Sequence, residues 1–135
     1  MGSKGRRYRT VVLDGYEILI GKTDADNDHL TFEVADPRDW WLHVAGPAGS
    51  HVVIRNPERL DEPPAAVLER AAELAAWHSK ARGSHGKVEV HLCRVADVSK
   101  PRGYPPGMVQ LRDWSAVRVY PKGPPEPPEE NPGEP

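Results

Sequence analysis

Residues 39 to 55, Asp39-Trp-Trp-Leu-His-Val-Ala-Gly-Pro-Ala-Gly-Ser-His-Val-Val-Ile-Arg55, decide how this chain folds. Two alternating runs flank a Gly-Pro-Ala-Gly-Ser turn, and successive residues of a strand point to opposite faces of a sheet. Trp40, Leu42 and Val44 therefore share one face, and Val52 and Ile54 continue it across the turn. Asp39, Trp41, His43, His51 and Arg55 take the other parity. A hairpin that buries its aliphatics presents on that second face an indole, two imidazoles and a guanidinium. These are groups that stack on bases and hold phosphates.

Upstream, Tyr8–Leu13 and residues 16–20 read as two strands around Asp14-Gly15, a strong hairpin signal. Residues 21–28, polar and rich in aspartate, read as a loop, and the alternation of Leu30, Phe32 and Val34 reads as a third strand ended by Asp36-Pro37. Downstream, Asp61-Glu62-Pro63-Pro64 marks a helix start, with a capping carboxylate and early prolines. Residues 65–82 form the one convincing helix, with Val67, Leu68, Ala71, Leu74, Ala75 and His78 on its inner face. Lys80 and Arg82 then occupy the last turn, where the helix dipole favours cations, and Gly83 supplies the stop. Val88, Val90 and Leu92 alternate in another strand, extending toward Val98. Residues 100–107 form a rigid basic loop, and residues 108–111 and 116–120 a closing pair of strands. The expected fold is α+β: a mostly antiparallel sheet of about seven strands packed on one long helix, residues 64–82. Residues 8–121 form the domain, residues 1–7 a basic arm, and residues 122–135 a Pro/Glu-rich tail expected to be disordered.

No stretch approaches the ~20 apolar residues of a membrane span, and no signal-peptide core is present, so a cytoplasmic protein without membrane contact is expected. Cys93 is the only cysteine, which excludes an internal disulfide and any cysteine-based zinc finger. The net charge of −2 conceals an uneven distribution, because residues 121–135 hold four glutamates and one lysine. Six basic residues fall between Lys80 and Arg102 against Glu89 and Asp97, and Lys4, Arg6, Arg7 and Arg9 make a second cluster. Each cluster taken alone reads as ordinary solvated surface. Together on a near-neutral body they suggest a polyanion site of limited footprint.

Catalytic readings fit poorly. Ile20-Gly-Lys-Thr23 lacks phosphate-loop spacing from Gly15, and the intervening residues are an apolar strand. His43 and His51, aided by Asp39, could converge on a metal, but nothing at close spacing completes a ligand set. Ser50 and His51 point in opposite directions along a strand and do not activate each other. Cys93 reads as a small buried hydrophobe. No catalytic residue, metal ligand or cofactor is assigned. The alternative kept open is an enzyme of RNA or nucleotide metabolism using the His43/His51 pair, with or without a metal; another is an adaptor binding partners through its tail.

Nucleic-acid binding accounts for more of the chain. Trp41, His43, His51 and Arg55 supply a mixed face. Ser79-Lys-Ala-Arg-Gly-Ser84 sets two cations and two hydroxyls at a helix end, and Lys100, Arg102 and Tyr104 lie in a stiffened loop.

The succession Asn27-Asp28, Asp39-Trp-Trp-Leu-His-Val44, Gly49-Ser-His-Val-Val-Ile-Arg55, Ser79-Lys-Ala-Arg82 and Lys100-Pro-x-Gly-x-x-Pro-Gly107 resembles the NFACT-R module, the RNA-binding domain of the NFACT proteins of ribosome-associated quality control. The resemblance spans residues 8–121 and implies a non-catalytic RNA-binding domain. Its expected target is tRNA or ribosomal RNA, with the ribosome or RNA-modifying proteins as partners. The RNA-binding residues it implies are Asn27, Asp28, Trp41, His43, Ser50, His51, Arg55, Lys80, Arg82, Lys100 and Arg102. Full-length family members carry a tRNA-engaging domain, helix-hairpin-helix elements and a coiled coil that do not fit in this chain. A stand-alone form, acting in translation quality control or RNA modification and without tail-adding activity, is therefore expected.

Overall fold

The computed structural model of the chain describes residues 5–46 and 48–123. Strand β1 (Tyr8–Leu13) turns through Asp14 and Gly15 into β2 (Tyr16–Gly21). Both turn residues adopt positive φ, 52° and 83°, as the tight hairpin turn matching strand twist requires. The quoted stretch supplies β3 (Trp40–Val44) and β4 (Val52–Ile54), paired antiparallel with Trp40 opposite Ile54 and Leu42 opposite Val52. With β5 (Val88–Arg94) and β8 (Ser115–Val119) they form a six-stranded antiparallel sheet in the order β1-β2-β4-β3-β5-β8. A small second sheet pairs β6 (Val98–Ser99) with β7 (Gln110–Leu111). The α+β class follows.

On the first face, helix α2 (Ala65–Trp77) lays Val67, Ala71, Leu74 and Ala75 against Trp40, Leu42, Val44, Val52 and Ile54, the parity expected of the hairpin. Its alanines let the helix axis approach the sheet closely. The second face is not open to solvent. Leu19, Trp41, Val53 and Cys93 are buried there under Leu30, Val95 and Val98. The central strands are thus covered on both sides, and Trp41 is 2% exposed rather than displayed.

The cover departs from the sequence reading. Residues 21–28 are not all loop: helix α1 (Asp24–His29) begins at Thr23, whose hydroxyl accepts from the Asp26 amide at 3.0 Å. Residues 30–34 are not a strand but a π-helical continuation of α1, closed by the Ala35 amide on the Leu30 carbonyl at 2.9 Å. The buried residues are Leu30 and Thr31, with Val34 half-buried and Phe32 exposed, which is helical rather than alternating spacing. Helix α2 also ends five residues before Arg82. Its start carries no side-chain cap on Pro64, and His78 leaves helical geometry at φ −91° and ψ 45°. Beyond it the backbone pairs with the β3–β4 turn instead: the Ser50 amide donates to His78 and the Lys80 amide to Ala48, both at 2.9 Å. Tertiary pairing overrides the helical propensity of Lys80 to Arg82. Likewise β7 and β8 do not pair with each other; they join β6 and β5. Most of the tail lies outside the described residues, as does the start of the basic arm.

Leu42, fully buried in a central strand, reports the packing of the first face. Leu42→Ala is expected to lower stability by about 2–5 kcal/mol, measured by urea unfolding; a loss below about 1 kcal/mol would mean that α2 does not seal this face.

Candidate nucleic-acid interface

The polar residues of the second face form one hydrogen-bonded chain. The Trp41 indole N–H donates to the Thr31 hydroxyl at 3.2 Å, and that hydroxyl lies 2.8 Å from His51 Nδ1. His51 Nε2 lies 3.1 Å from the Gly107 carbonyl. Donor accounting fixes the protons: a carbonyl only accepts, so Nε2 carries the hydrogen and Thr31 donates to Nδ1. His51 is 1% exposed, and burial pushes its pKa down to about 4, so it stays neutral in this single tautomer.

The loop before β7 docks onto this chain. Gly103 and Gly107 take positive φ in two successive turns closed by Tyr104 on Pro101 and Met108 on Pro105, which is what the Pro/Gly spacing of the loop serves. The Gly107 amide donates to Asp28, and the Lys100 ammonium lies 3.3 Å from the same carboxylate while donating to the Pro105 and Met108 carbonyls. Lys100 and Asp28 therefore staple the loop to α1. Arg102, two residues on, is exposed.

Asn27 is buried beneath the β3–β4 turn, accepting from the His51 amide at 3.0 Å and donating to the Gly49 carbonyl at 3.4 Å. Ser50 donates to the Gly21 carbonyl at 2.6 Å. His43, half-buried, sets Nδ1 2.6 Å from the Val44 carbonyl and Nε2 3.2 Å from that of Gly49. Burial lowers its pKa, outweighing both carbonyls. Arg55 lies at the other end of the hairpin, 2.9 Å from the buried Asp39 carboxylate, which also accepts from the Asp36 and Asn56 amides. It does not join the other cations. The Cys93 thiol is pushed up to about 12 by burial and is a packing group.

The cations that do converge are Arg9 from β1, Lys22 from the end of β2, and Lys80 and Arg82 beyond α2. All four line one open cleft of about 440 Å³ beside Gly49 and Ser50, with Asp24 as the only acidic residue of its lining among the described residues. Arg82 stacks over the Trp77 indole, 3.9 Å from the ring centroid. Burial first, and then Arg9 and Arg82, drive the His78 pKa down to about 4. Lys80 and Arg82 thus meet the β3–β4 turn as the sequence suggested, while the Lys100 loop reaches it from the opposite side through His51.

Residues 6–113 match the model of the NFACT protein RNA-binding domain. This chain belongs to that family. Among known proteins, the Rqc2 homolog RqcH of Bacillus subtilis strain 168 is 38% identical over 126 residues, 89% of this chain and 21% of that protein. The RqcH of Streptococcus suis strain 05ZYH33 is 42% identical over 119 residues, 87% of this chain and 20% of that protein. The chain therefore spans about a fifth of the length of the relatives it matches. The NFACT RNA-binding fold recurs in the C-terminal part of the fibronectin/fibrinogen-binding protein from Streptococcus suis, with TM-score 0.78 and 39% identity, covering 86% of this chain and 45% of that one.

In this NFACT domain the sequence left Arg9 among a general basic arm and dismissed Lys22 with the phosphate loop. Thr23-Asp-Ala-Asp26, a helix-start pattern, was the available sign that Lys22 sits at an element boundary beside the turn. Thr31 carried no signal, because its importance lies in contacts with Trp41 and His51 far along the chain.

Two outcomes test the network. Thr31→Val keeps shape but orphans the Trp41 indole and His51 Nδ1, and is expected to cost about 1–3 kcal/mol per orphaned group in thermal or urea unfolding; an unchanged stability would remove Thr31 from its central role. Stability should also fall with acid. The folded His51 pKa lies below the ordinary 6.5, so the unfolded chain binds the proton more readily. The contribution is full above pH 6.5 and is lost as pH falls toward 4, an effect of roughly 3 kcal/mol. His51→Gln should reduce the pH dependence of the melting temperature across that window, the remainder coming from His78, which is depressed over the same range; an unaltered profile would contradict the assignment.

Proposed function

We propose that this domain binds RNA by holding the sugar–phosphate backbone in the basic cleft, and that it does so without catalysing a reaction. The observation carrying this reading is the meeting of Arg9, Lys22, Lys80 and Arg82 from three separate stretches around one cleft, whose described residues include a single acid, Asp24. Guanidinium and ammonium groups supply salt-dependent affinity for phosphates, and Arg9 and Arg82 add to the lowering of the His78 pKa that burial mainly causes. Family membership supports RNA as the polyanion.

The expected target is tRNA or ribosomal RNA in translation quality control or RNA modification, in the cytoplasm, with the ribosome or RNA-modifying proteins as partners. The similarity to RqcH and the family's connection with quality control support that assignment. Lys80, Arg82, Arg9 and Lys22 contact phosphates, and the exposed Arg102 adds a peripheral cation. Asn27, Asp28, Ser50, His51 and Lys100 act by holding the β3–β4 turn and the loop beside it through the bonds described above, whereas Arg55, paired with Asp39 at the other end of the hairpin, stays outside the site. Among the described residues no helix is long and apolar enough to cross a membrane.

Lys80→Ala combined with Arg82→Ala is expected to weaken single-stranded RNA binding and to flatten the slope of log affinity against log salt by about 1.4, two phosphate contacts' worth. Titrations at several salt concentrations measure this. An unchanged affinity and slope would refute the cleft as the phosphate site.

A further inference from the structure

On the far side of the β3–β4 turn lies a second groove of about 430 Å³ of different character. It sits on the second face of the sheet where the cover supplied by α1 and the small sheet runs out. Trp41 and Cys93 are buried beneath that cover, whereas His43 and His91, paired across β3 and β5, are only half-buried. Trp114, in the link between β7 and β8, is 49% exposed and lies parallel over His91, with ring centroids 4.1 Å apart and planes inclined by 29°. His43 stacks in turn on Trp41 at 5.9 Å. Met108, also exposed, borders the groove.

We propose that this groove is a nucleobase site, which takes one unpaired base of the bound RNA stacked on the Trp114–His91 pair. The inference rests on the RNA-binding reading of the neighbouring cleft and extends it. Three observations carry it. A half-exposed indole held flat against an imidazole is a π surface already ordered before binding, so a base that stacks on it meets little entropic cost. Among the described residues the groove is lined by no carboxylate, lysine or arginine, with the Glu89 carboxylate, 3.2 Å from His91 Nε2, as a neighbouring charge, while the cleft across the turn carries four cations. That division of uncharged rings from charged groups is the division between a base and its phosphates. Finally, the two are adjacent. The Gly49 carbonyl accepts from Asn27 and faces His43 Nε2 at 3.2 Å, and Gly49 itself lines the cleft, so a single backbone segment separates them. A strand passing over the turn reaches both. Val44, Met108, Val109 and Leu111 also line the groove, but the ordered Trp114–His91 pair offers the flat face that a base stacks on.

The test compares the wild-type protein with Trp114→Ala, Trp114→Phe and the Lys80/Arg82 double alanine variant. The probes are a short single-stranded oligoadenylate and an RNA duplex of the same length. Trp114→Ala should weaken oligoadenylate binding about tenfold, within the range seen on removing one stacking aromatic, with the salt slope preserved. Duplex binding should be unaffected, and Trp114→Phe should retain most of the affinity. Oligoadenylate should also quench indole emission of the wild-type protein and do so less in Trp114→Phe, a reading that survives if the alanine variant folds poorly. Oligoadenylate affinity and quenching unchanged in the Trp114 variants, with binding weakened in the double variant, would overturn the base site while leaving the cleft intact. Equal loss of single- and double-stranded binding in folded Trp114→Ala would also overturn it. Unchanged binding in the double variant would instead defeat the underlying RNA-cleft reading.

Discussion

The Thr31 hydroxyl accepts from the Trp41 indole and donates to His51, and the opposite nitrogen of His51 donates to the Gly107 carbonyl. Four groups from four separate parts of the chain are joined in this way beneath the surface. Each is buried or partly buried, so each would carry the cost of an unmet hydrogen bond if its neighbour moved. The arrangement fixes the π-helical turn after α1 on one side of the hairpin and the Pro/Gly loop on the other. Asp28 and Lys100 then close the circuit between those two covering pieces.

This constraint turns a hairpin with one polar face into a strand pair buried on both. The most conspicuous aromatic and imidazole of the sequence, Trp41 and His51, are thereby committed to structure, and the chemistry available to a ligand moves to the rim. On one side of the turn the rim is cationic, through Arg9, Lys22, Lys80 and Arg82; on the other it is aromatic, through His43, His91 and Trp114. The β3–β4 turn belongs to both. Gly49 matters here for its lack of a side chain, since a Cβ on it would come within 2.6 Å of Ser79 and push the post-helix segment away.

Much of the fold was legible because it follows from parity and local turns. The first core face, the Asp14-Gly15 hairpin and the body of α2 are all set by neighbours within a few residues. What was illegible depends on contacts distant in sequence. Leu30, Phe32 and Val34 alternate, yet Thr31 is drawn inward by Trp41 and His51, and the segment coils instead of extending. Lys80 and Arg82 have good helical propensity, yet pairing with the β3–β4 turn unwinds them. For the site, the sequence picked out the turn and the Lys80–Arg82 segment separately, and backbone pairing brings them together in the fold. It could not tell that Lys100 and Arg55 are engaged with Asp28 and Asp39, because ion pairing between residues well apart in the sequence leaves no local mark.

The central claim is that RNA runs across the β3–β4 turn, with phosphates on the Lys80 side. Ultraviolet crosslinking of bound single-stranded RNA to the intact protein, followed by peptide mapping, tests it most directly. The account predicts crosslinks in the segments bearing Trp77 to Arg82 and Met108 to Trp114, which flank the turn. Crosslinks confined to the segment bearing Asp61 to Leu68, which lines a separate acidic groove, would contradict it.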